Sequence, residues 1–568
     1  MTKTLFFDKI NLKNRGCVMS TVNIKYKDKV YTYPKGKTLL EISKNFKDEY
    51  EYDIIIASVN NKLTELNQKL EKDCNIKFFD ITHALGNKVY ERGLTYLYIK
   101  AIFDVLKCDV LIEHSIDKGI YTRLAKDIDL SIEDVELVKR RMQELVNANI
   151  PFQKISVSRI DAIDYFEKNN QLDKVEGLKY VSNTFINLYR FDNMYDYFYG
   201  EMPIDSSYLK WFDLKKVTPN GIVLIIPNIY SDSKIKPYVH HEKMFEEFSE
   251  YHAWCDRVNV NNISDLNNMI ASDDISDLIY MSEMDQNARL FDIAKTISDD
   301  PNIKVVLIAG PSSSGKTTTS RKLSLYLRSI GLNPFAISID DYFLDRDKTP
   351  LKEDGNPDFE ALSAINVDLF NEHLGRLLNY EEVSMPIYNF ITGKSEPNSK
   401  RMKLREKDIL IIEGLHALNN ELTKTIDASK KYKMYLSPLT SINIDNHNRI
   451  STSDNRIIRR MVRDHKYRGY SAAYTLAKWK DVRSGEERFV FPYQDEADVV
   501  FNTSLVYEMG VLRLYAEPLL FSISDDDPYY GEAVRLLNIL RNALPLTSDL
   551  VPLDSIIREF IGDSYFEN

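Results

Sequence analysis

Long apolar runs are missing from this chain. No stretch approaches the ~20 residues needed to span a bilayer. The opening MTKTLFFDKINLKNRG has no signal-peptide apolar region, so no membrane partner is expected. Cysteine is scarce: Cys17, Cys74, Cys108 and Cys255 are the four in 568 residues. None stands at C-x-x-C spacing, which excludes a zinc knuckle and a redox dithiol. Sparse, scattered thiols fit a reducing cytoplasm. Positive charge is also short: 74 Lys and Arg face 85 Asp and Glu, a net charge of −11. That balance argues against a dedicated nucleic-acid binder. Internal repeats and low-complexity tracts are absent. What is present is the composition of a soluble protein, 43% hydrophobic and 28% charged, long enough for about three or four domains.

The most informative stretch is Lys304–Thr319, KVVLIAGPSSSGKTTT. Val305 to Ala309 reads as a buried strand and Ser320–Leu327 as a helix. Between them stands Gly310-x-x-x-x-Gly315-Lys316-Thr317. Strand, glycine-rich loop and helix form the context in which this spacing makes a phosphate loop. The backbone N–H groups from Gly310 through Ser312, Ser313, Ser314, Gly315, Lys316, Thr317 and Thr318 can turn inward around phosphate. The following helix N-terminus adds partial positive charge. Lys316 can reach the outer phosphates and the Thr317 hydroxyl can ligate Mg²⁺. The pattern implies a nucleoside triphosphate, taken to be ATP.

Two further strands end in acids. Pro334–Ile339 runs into Asp340-Asp341-Tyr342-Phe343, and Ile409–Ile412 into Glu413-Gly414. Ligands of open α/β sheets bind at strand carboxyl ends. There one carboxylate, Asp340 or Asp341, can take a proton from an attacking hydroxyl or hold Mg²⁺. Strand alternation predicts that the two point in different directions, so that one of them faces the reaction. Glu413 fits the Walker B acid, acting on the metal directly or through water. On a helix through Asp454–Asp464, Arg456, Arg460 and Arg463 share one face, while Ile458, Met461 and Val462 face elsewhere and pack. Guanidiniums on one face suit a lid over transferring phosphate.

In order, GPSSSGKTT, SIDDYF, NPDFEALSAIN, MPIYNF, LIIEG and DNRIIRRMVRD–RG resemble the uridine kinase and phosphoribulokinase family over about residues 301–505. The resemblance implies Asp340 as the base, and Asp358, Tyr388 and Phe390 lining the acceptor pocket. It puts Arg460, Arg463 and Arg468 in the lid. Lys316, Arg463 and Asp340 form its catalytic set, with Thr317, Asp340 and Glu413 around the metal. One departure bears on the acceptor. Uridine kinases follow a Tyr-Asp-Phe with a pyrimidine-contacting histidine; here Asn389 replaces the aspartate and Gly393 the histidine. Uridine is therefore not secured as the substrate.

The front of the chain has its own pattern. Val22–Tyr26 and Val30–Tyr33 alternate about Lys27-Asp28-Lys29 as a hairpin. Thr38 and Glu41 form a capping box, and Ile54–Val59 is a further strand. This order resembles a TGS domain. The segments around Asp117–Tyr121, Leu130–Asp134, Asn149–Phe152, Ser156–Ser158 and Asn187–Arg190 resemble the editing domain of threonyl-tRNA synthetase. That domain carries H-x-x-x-H and C-x-x-x-H pairs. Here they fall on Arg92 and Tyr96, and on Phe198 and Met202. Such side chains cannot rebuild a zinc or hydrolytic site, so no zinc is expected. Tyr195, Tyr197, Phe198 and Tyr199 are read as core or pocket wall rather than a base-stacking platform.

The expected architecture is multidomain α/β and α+β. It comprises a leader over 1–19, with Met19 a candidate start, a ubiquitin-like TGS unit over 20–82 and an editing-like α+β unit over 83–239. A helical connector over 240–300 docks on a P-loop kinase with a mostly parallel sheet over 301–505, and a helical extension covers 506–568. The whole chain resembles bacterial nucleoside kinases fused to synthetase-like domains. The expected activity is ATP- and Mg²⁺-dependent transfer to the 5′-hydroxyl of a small-molecule nucleoside, in a cytoplasmic homo-oligomer. A kinase of another sugar or sugar phosphate is the alternative. A nucleotide-dependent regulator that touches tRNA or the ribosome through the front half is the alternative of another class; no N-K-x-D guanine motif supports it.

Overall fold

A computed structural model describes residues 20–126, 128–229, 233–352, 355–389, 392–440 and 442–566. The leader expected over 1–19 lies outside the described residues, as does Phe390. Among the described residues no helix is long and apolar enough to cross a membrane, and Cys74, Cys108 and Cys255 are free thiols.

The first sheet is mixed and five-stranded. Thr21–Tyr26 pairs antiparallel with Lys29–Pro34 through the Lys27 turn and parallel with Cys74–Phe79. Lys27 takes a left-handed φ of 52° there. Alternation along Thr21–Tyr26 buries Val22, Ile24 and Tyr26 against Leu39, Ile42 and Phe46. The helix Leu39–Ser43 starts at Thr38, whose side chain caps Glu41 while Glu41 caps Thr38 in return, as the S/T-x-x-E spacing dictates. The expected strand at Ile54 is shorter, Ile56–Val59.

Helix α1, Ala84–Leu106, follows and is buried along most of its length. It packs with a four-stranded antiparallel sheet, ordered Asp213–Thr218, Gly221–Ile225, Gly119–Leu124 and Val110–Ile116. A three-stranded sheet of Met194–Asp196, Phe185–Phe191 and Phe152–Ser158 shares that core through Phe152, Tyr189 and Phe191. Three helices, Glu242–Val258, Ile263–Ala271 and Ile275–Asp299, lead onward. Leu290, Ile293, Ala294 and Ile297 of the last pack on the C-terminal sheet and its first helix.

That sheet consists of five parallel strands. In chain order they are β1 (Val305–Ala309), β2 (Asn333–Ser338), β3 (Asp408–Glu413), β4 (Lys431–Ser437) and β5 (Val499–Asn502); in space they run β2-β3-β1-β4-β5. β1 and most of β3 are apolar without alternation and fully buried, as strands covered on both faces must be. Helix α2, Lys316–Ser329, leaves β1 through the phosphate loop. The helices that follow are α3 (Thr452–Arg468), α4 (Ala472–Phe489), α5 (Glu508–Phe521), α6 (Tyr530–Leu540) and the single turn α7 (Arg558–Ile561), of which α3, α5, α6 and α7 share one core. β2 ends at Ser338, one residue before the expected boundary, and Ile339–Tyr342 is a 3₁₀ turn. Asp340 and Asp341 are thus separated by helical rotation and not by strand alternation.

One loop joins front and back. Between β4 and α3, Asn443 donates to the carbonyls of Ile112 and Glu113 at 2.8 and 3.1 Å, and Asn446 O accepts from Ile112 N–H at 2.8 Å. Beside them lies a buried charge cluster. Lys174 contacts Asp196 at 2.8 Å and Asp445 at 2.9 Å, and His447 contacts Asp196 at 2.6 Å and Asp109 at 2.8 Å. Burial opposes charge on His447, but Asp109 and Asp196 outweigh it and push the ring up to about 10.

Two predictions follow from this cluster. Asp196→Asn leaves Lys174 and His447 short of a carboxylate in the dry interior, so chemical denaturation should show a loss of about 3–5 kcal/mol. His447 is raised above its unfolded value near ~6.5, so its contribution is complete below that pH. It is lost as pH rises toward and through about 10. Stability measured from pH 6 to 10 should fall on that limb, and His447→Gln should flatten it; an equal slope in the variant would contradict the assignment.

Candidate active site

The phosphate loop is held open by local backbone chemistry. Ser313 and Gly315 take left-handed φ values of 61° and 81°. A β-carbon at Gly315 would stand 2.6 Å from Ile556 Cγ2, so glycine is required by both conformation and space. The Ser313 and Ser314 hydroxyls are buried with no hydrogen-bond partner, polar groups facing a cradle that offers protein no acceptor. Lys316 Nζ folds back to donate to the carbonyls of Gly310 and Pro311 at 2.9 and 3.1 Å. Thr317 is exposed in the first turn of α2.

Opposite the loop, Asp340 and Glu413 close the cleft. Asp340 keeps contact with solvent yet is crowded by protein; burial raises its carboxyl while Lys316, Arg468 and Arg463 oppose the shift. Burial and then the Asp340 charge push Glu413 up to about 7, against Lys316. Burial lowers the Lys316 ammonium, with Glu413, Glu559 and Asp340 acting the other way. Two carboxylates, one of them raised by the charge of the other, make an oxygen donor set of the kind a hard divalent cation takes. Asp341 turns instead to the Tyr388 backbone N–H, at 3.5 Å.

Helix α3 differs from the expected exposed lid face. Ser451 caps it by accepting from Asp454 N–H. Arg456 is buried: it pairs with Glu486 of α4 and donates through Nε to Ser312 O at 3.0 Å. Arg459, also buried, donates to Glu508 of α5 at 2.8 Å and to Thr503 O at 2.8 Å. These two guanidiniums are structural. Arg460 reaches the loop, donating to Ser312 Oγ at 2.6 Å. It also meets Asp464 at 3.2 Å, as Arg463 does at 2.8 Å and Arg468 at 3.3 Å. Three guanidiniums on one buried carboxylate leave positive charge facing Asp340.

Of the residues expected at the acceptor, Asp358 is buried and contacts Arg488 at 3.1 Å. Tyr388 is buried with its ring 5.5 Å from that of Phe343. Gly393, at φ 68°, is backed by Arg346: a β-carbon there would stand 2.8 Å from the Arg346 Nε, and Arg346 N–H donates to Gly393 O at 2.8 Å. A guanidinium therefore lies beside the position where the histidine is missing.

Sequence reasoning missed three acids. Glu486 accepts from Ser312 N–H at 2.8 Å and Glu559 from Thr318 N–H at 3.0 Å. Glu360 is pushed up to about 7 by burial and by Glu486, with Arg460 opposing. Glu486 and Glu559 lie 174 and 241 residues from the loop groups they meet, and no spacing in the chain signals such pairings.

The structure also brings together the four front positions. The Tyr96 ring is 4.8 Å from that of Phe198, its hydroxyl donates to the carbonyls of Tyr189 and Met194, and Met202 is buried with them. Arg92 donates to Glu201 O at 2.6 Å. It lines a polar cavity of about 90 Å³ with Tyr199, Arg449, Asp454 and Arg535.

A family model described as the phosphoribulokinase / uridine kinase family matches residues 305–507. The uridine kinase of Bacillus pumilus is 31% identical over 198 residues, 34% of this chain and 84% of that protein. The threonine–tRNA ligase of Carboxydothermus hydrogenoformans is 26% identical over 192 residues, 34% of this chain. The chain spans 30% of that ligase's length, and the similarity falls in the N-terminal region. A solved structure of a possible uridine kinase from Bacillus stearothermophilus, 24% identical, aligns over 38% of this chain and 98% of that one with a TM-score of 0.26. With its parallel sheet, its phosphate loop and the Bacillus pumilus uridine kinase, of which it covers more than four-fifths, the chain belongs to the phosphoribulokinase/uridine kinase family, joined to a front half similar to threonine–tRNA ligase.

Proposed function

We propose that this kinase transfers the γ-phosphoryl group of ATP to the 5′-hydroxyl of a nucleoside. The observation that carries the reading is the placement of Asp340 across from Lys316, with positive charge from α3 on the same cleft. The loop from Gly310 to Thr318 binds the triphosphate through backbone N–H groups, and Lys316 turns from its carbonyls onto the outer phosphates. Asp340, with its pKa raised, takes the proton of the acceptor hydroxyl. Arg460, Arg463 and Arg468 stabilise charge on the moving group. Thr317, Glu413 and Asp340 would hold Mg²⁺, which supplies charge neutralisation on the triphosphate when bound. Asp358 and Tyr388 flank the acceptor.

Gly393 stands where a pyrimidine-contacting histidine would be, and glycine supplies no side-chain hydrogen bond. We therefore read the acceptor as a nucleoside outside strict uridine/cytidine selectivity. The front half serves as a TGS-bearing structural or regulatory platform; Tyr96, Phe198 and Met202 fill the region that would otherwise do chemistry.

The test is ADP formation by the full chain with uridine, cytidine, thymidine, adenosine, guanosine and inosine. ADP should appear in equal amount to a nucleoside monophosphate. Lys316→Ala should abolish transfer with the fold intact. Asp340→Asn should lower kcat at least ~10²-fold, in line with general-base contributions, with little change in ATP binding. Asp341→Asn, whose carboxylate turns to the Tyr388 backbone N–H, should be milder. ADP release indifferent to every nucleoside would favour the sugar-kinase or regulatory reading, and a reversed ranking of the two aspartates would transfer the base role to Asp341.

A further inference from the structure

The phosphate loop already carries an acid at its helix end. Glu559 projects from α7, the turn Arg558–Ile561, and its Oε2 accepts from Thr318 N–H at 3.0 Å in the first turn of α2. Its charge acts on both Lys316 and Glu413, so it sits among the groups that would receive a triphosphate. A carboxylate on a helix-start amide beside a lysine stands in for a phosphate oxygen.

The segment bearing Glu559 is firmly seated. Ile556, Ile557, Phe560 and Ile561 are buried, and Ile556 abuts Gly315. The Phe560 ring lies 5.0 Å from the Arg459 guanidinium, Lys466 donates to Ile561 O at 2.8 Å, and Arg558 donates to Ser548 O and Val551 O at 2.7 and 2.8 Å. Glu559 differs from its neighbours: it is half-buried, and its carboxylate accepts the loop's Thr318 N–H. Glu486, the other acid on a loop amide, is locked by Arg456 and Arg483. Rotation of one side chain frees Thr318 N–H without unseating α7.

We infer that Glu559 is an intrasteric competitor of the nucleoside triphosphate, by which the C-terminal segment lowers the affinity of the phosphate loop. The inference rests on the kinase reading above. A triphosphate placed on the Thr318 amide meets the Glu559 negative charge and must displace it. The apparent dissociation constant is the intrinsic one divided by the fraction of molecules in which the carboxylate has left the site.

The experiment measures binding of a fluorescent N-methylanthraniloyl ATP with Mg²⁺ to the full chain. Wild type is compared with Glu559→Gln, which keeps the shape, and Glu559→Ala, which removes the group. Each is also made with Lys316→Ala. Both single variants should bind the probe about 10-fold more tightly. Their KM for ATP should fall in parallel, their KM for the nucleoside should stay the same, and Lys316→Ala should abolish the gain. Unchanged or weaker binding in both variants, with Lys316-dependent binding intact, overturns the inference alone. Absence of probe binding in every protein overturns it together with the kinase reading.

Discussion

Two buried guanidiniums on one helix hold the phosphate-binding half of this protein in shape. Arg456 ties Ser312 of the loop to Glu486 of α4, and Arg459 ties Thr503, after β5, to Glu508 of α5. Buried ion pairs contribute little net stability, yet removing one partner strands a charge in the dry interior. Their effect is therefore to fix a register. With α3 pinned there, Arg460, Arg463 and Arg468 project toward the cleft and converge on Asp464.

The same helix is anchored at its start to α6 and, through the loop before it, to the front half. Its first turn presents Asp454 to Arg535 of α6 at 2.5 Å, and the loop before it places Arg449 against Glu91 of α1 at 2.5 Å. The cluster of Lys174, Asp196, Asp445 and His447 seals that loop against the synthetase-like sheets. A chain of packed and charge-paired groups thus runs from α1 through the 442–451 loop to α3 and the phosphate loop. Contiguity of this kind supplies a physical route for coupling. The front half is thereby packed into the scaffold on which α3 sits.

The acidic groups around Lys316 show a second constraint. Asp340, Glu413 and Glu559 crowd one ammonium, and the carboxyls of Asp340 and Glu413 are raised by burial. Such a cleft is electrostatically unfinished until cations or a polarised substrate enter it, and perturbed carboxyls of this sort concentrate where protons are moved.

Local order carried much of this into the sequence. The β1 run, the glycine-rich loop and α2 are contiguous, so spacing alone specifies them. The Thr38–Glu41 capping box and the Lys27 hairpin depend on three or four neighbouring residues. The acids at the ends of β2 and β3 are legible because a buried strand must deliver its next residue to the sheet edge. Tertiary packing decided the rest. Alternation was the wrong reason for separating Asp340 from Asp341, because the chain turns into a 3₁₀ helix one residue early. Helical periodicity grouped Arg456 with Arg460 and Arg463, but the neighbours of α3 determine which of them is buried. Glu486 and Glu559 reach the phosphate loop from helices far along the chain, and Arg346 backs Gly393 across a loop. Sequence fixes contacts within a turn or a strand, where covalent geometry leaves few choices; which distant charges meet depends on how whole helices pack.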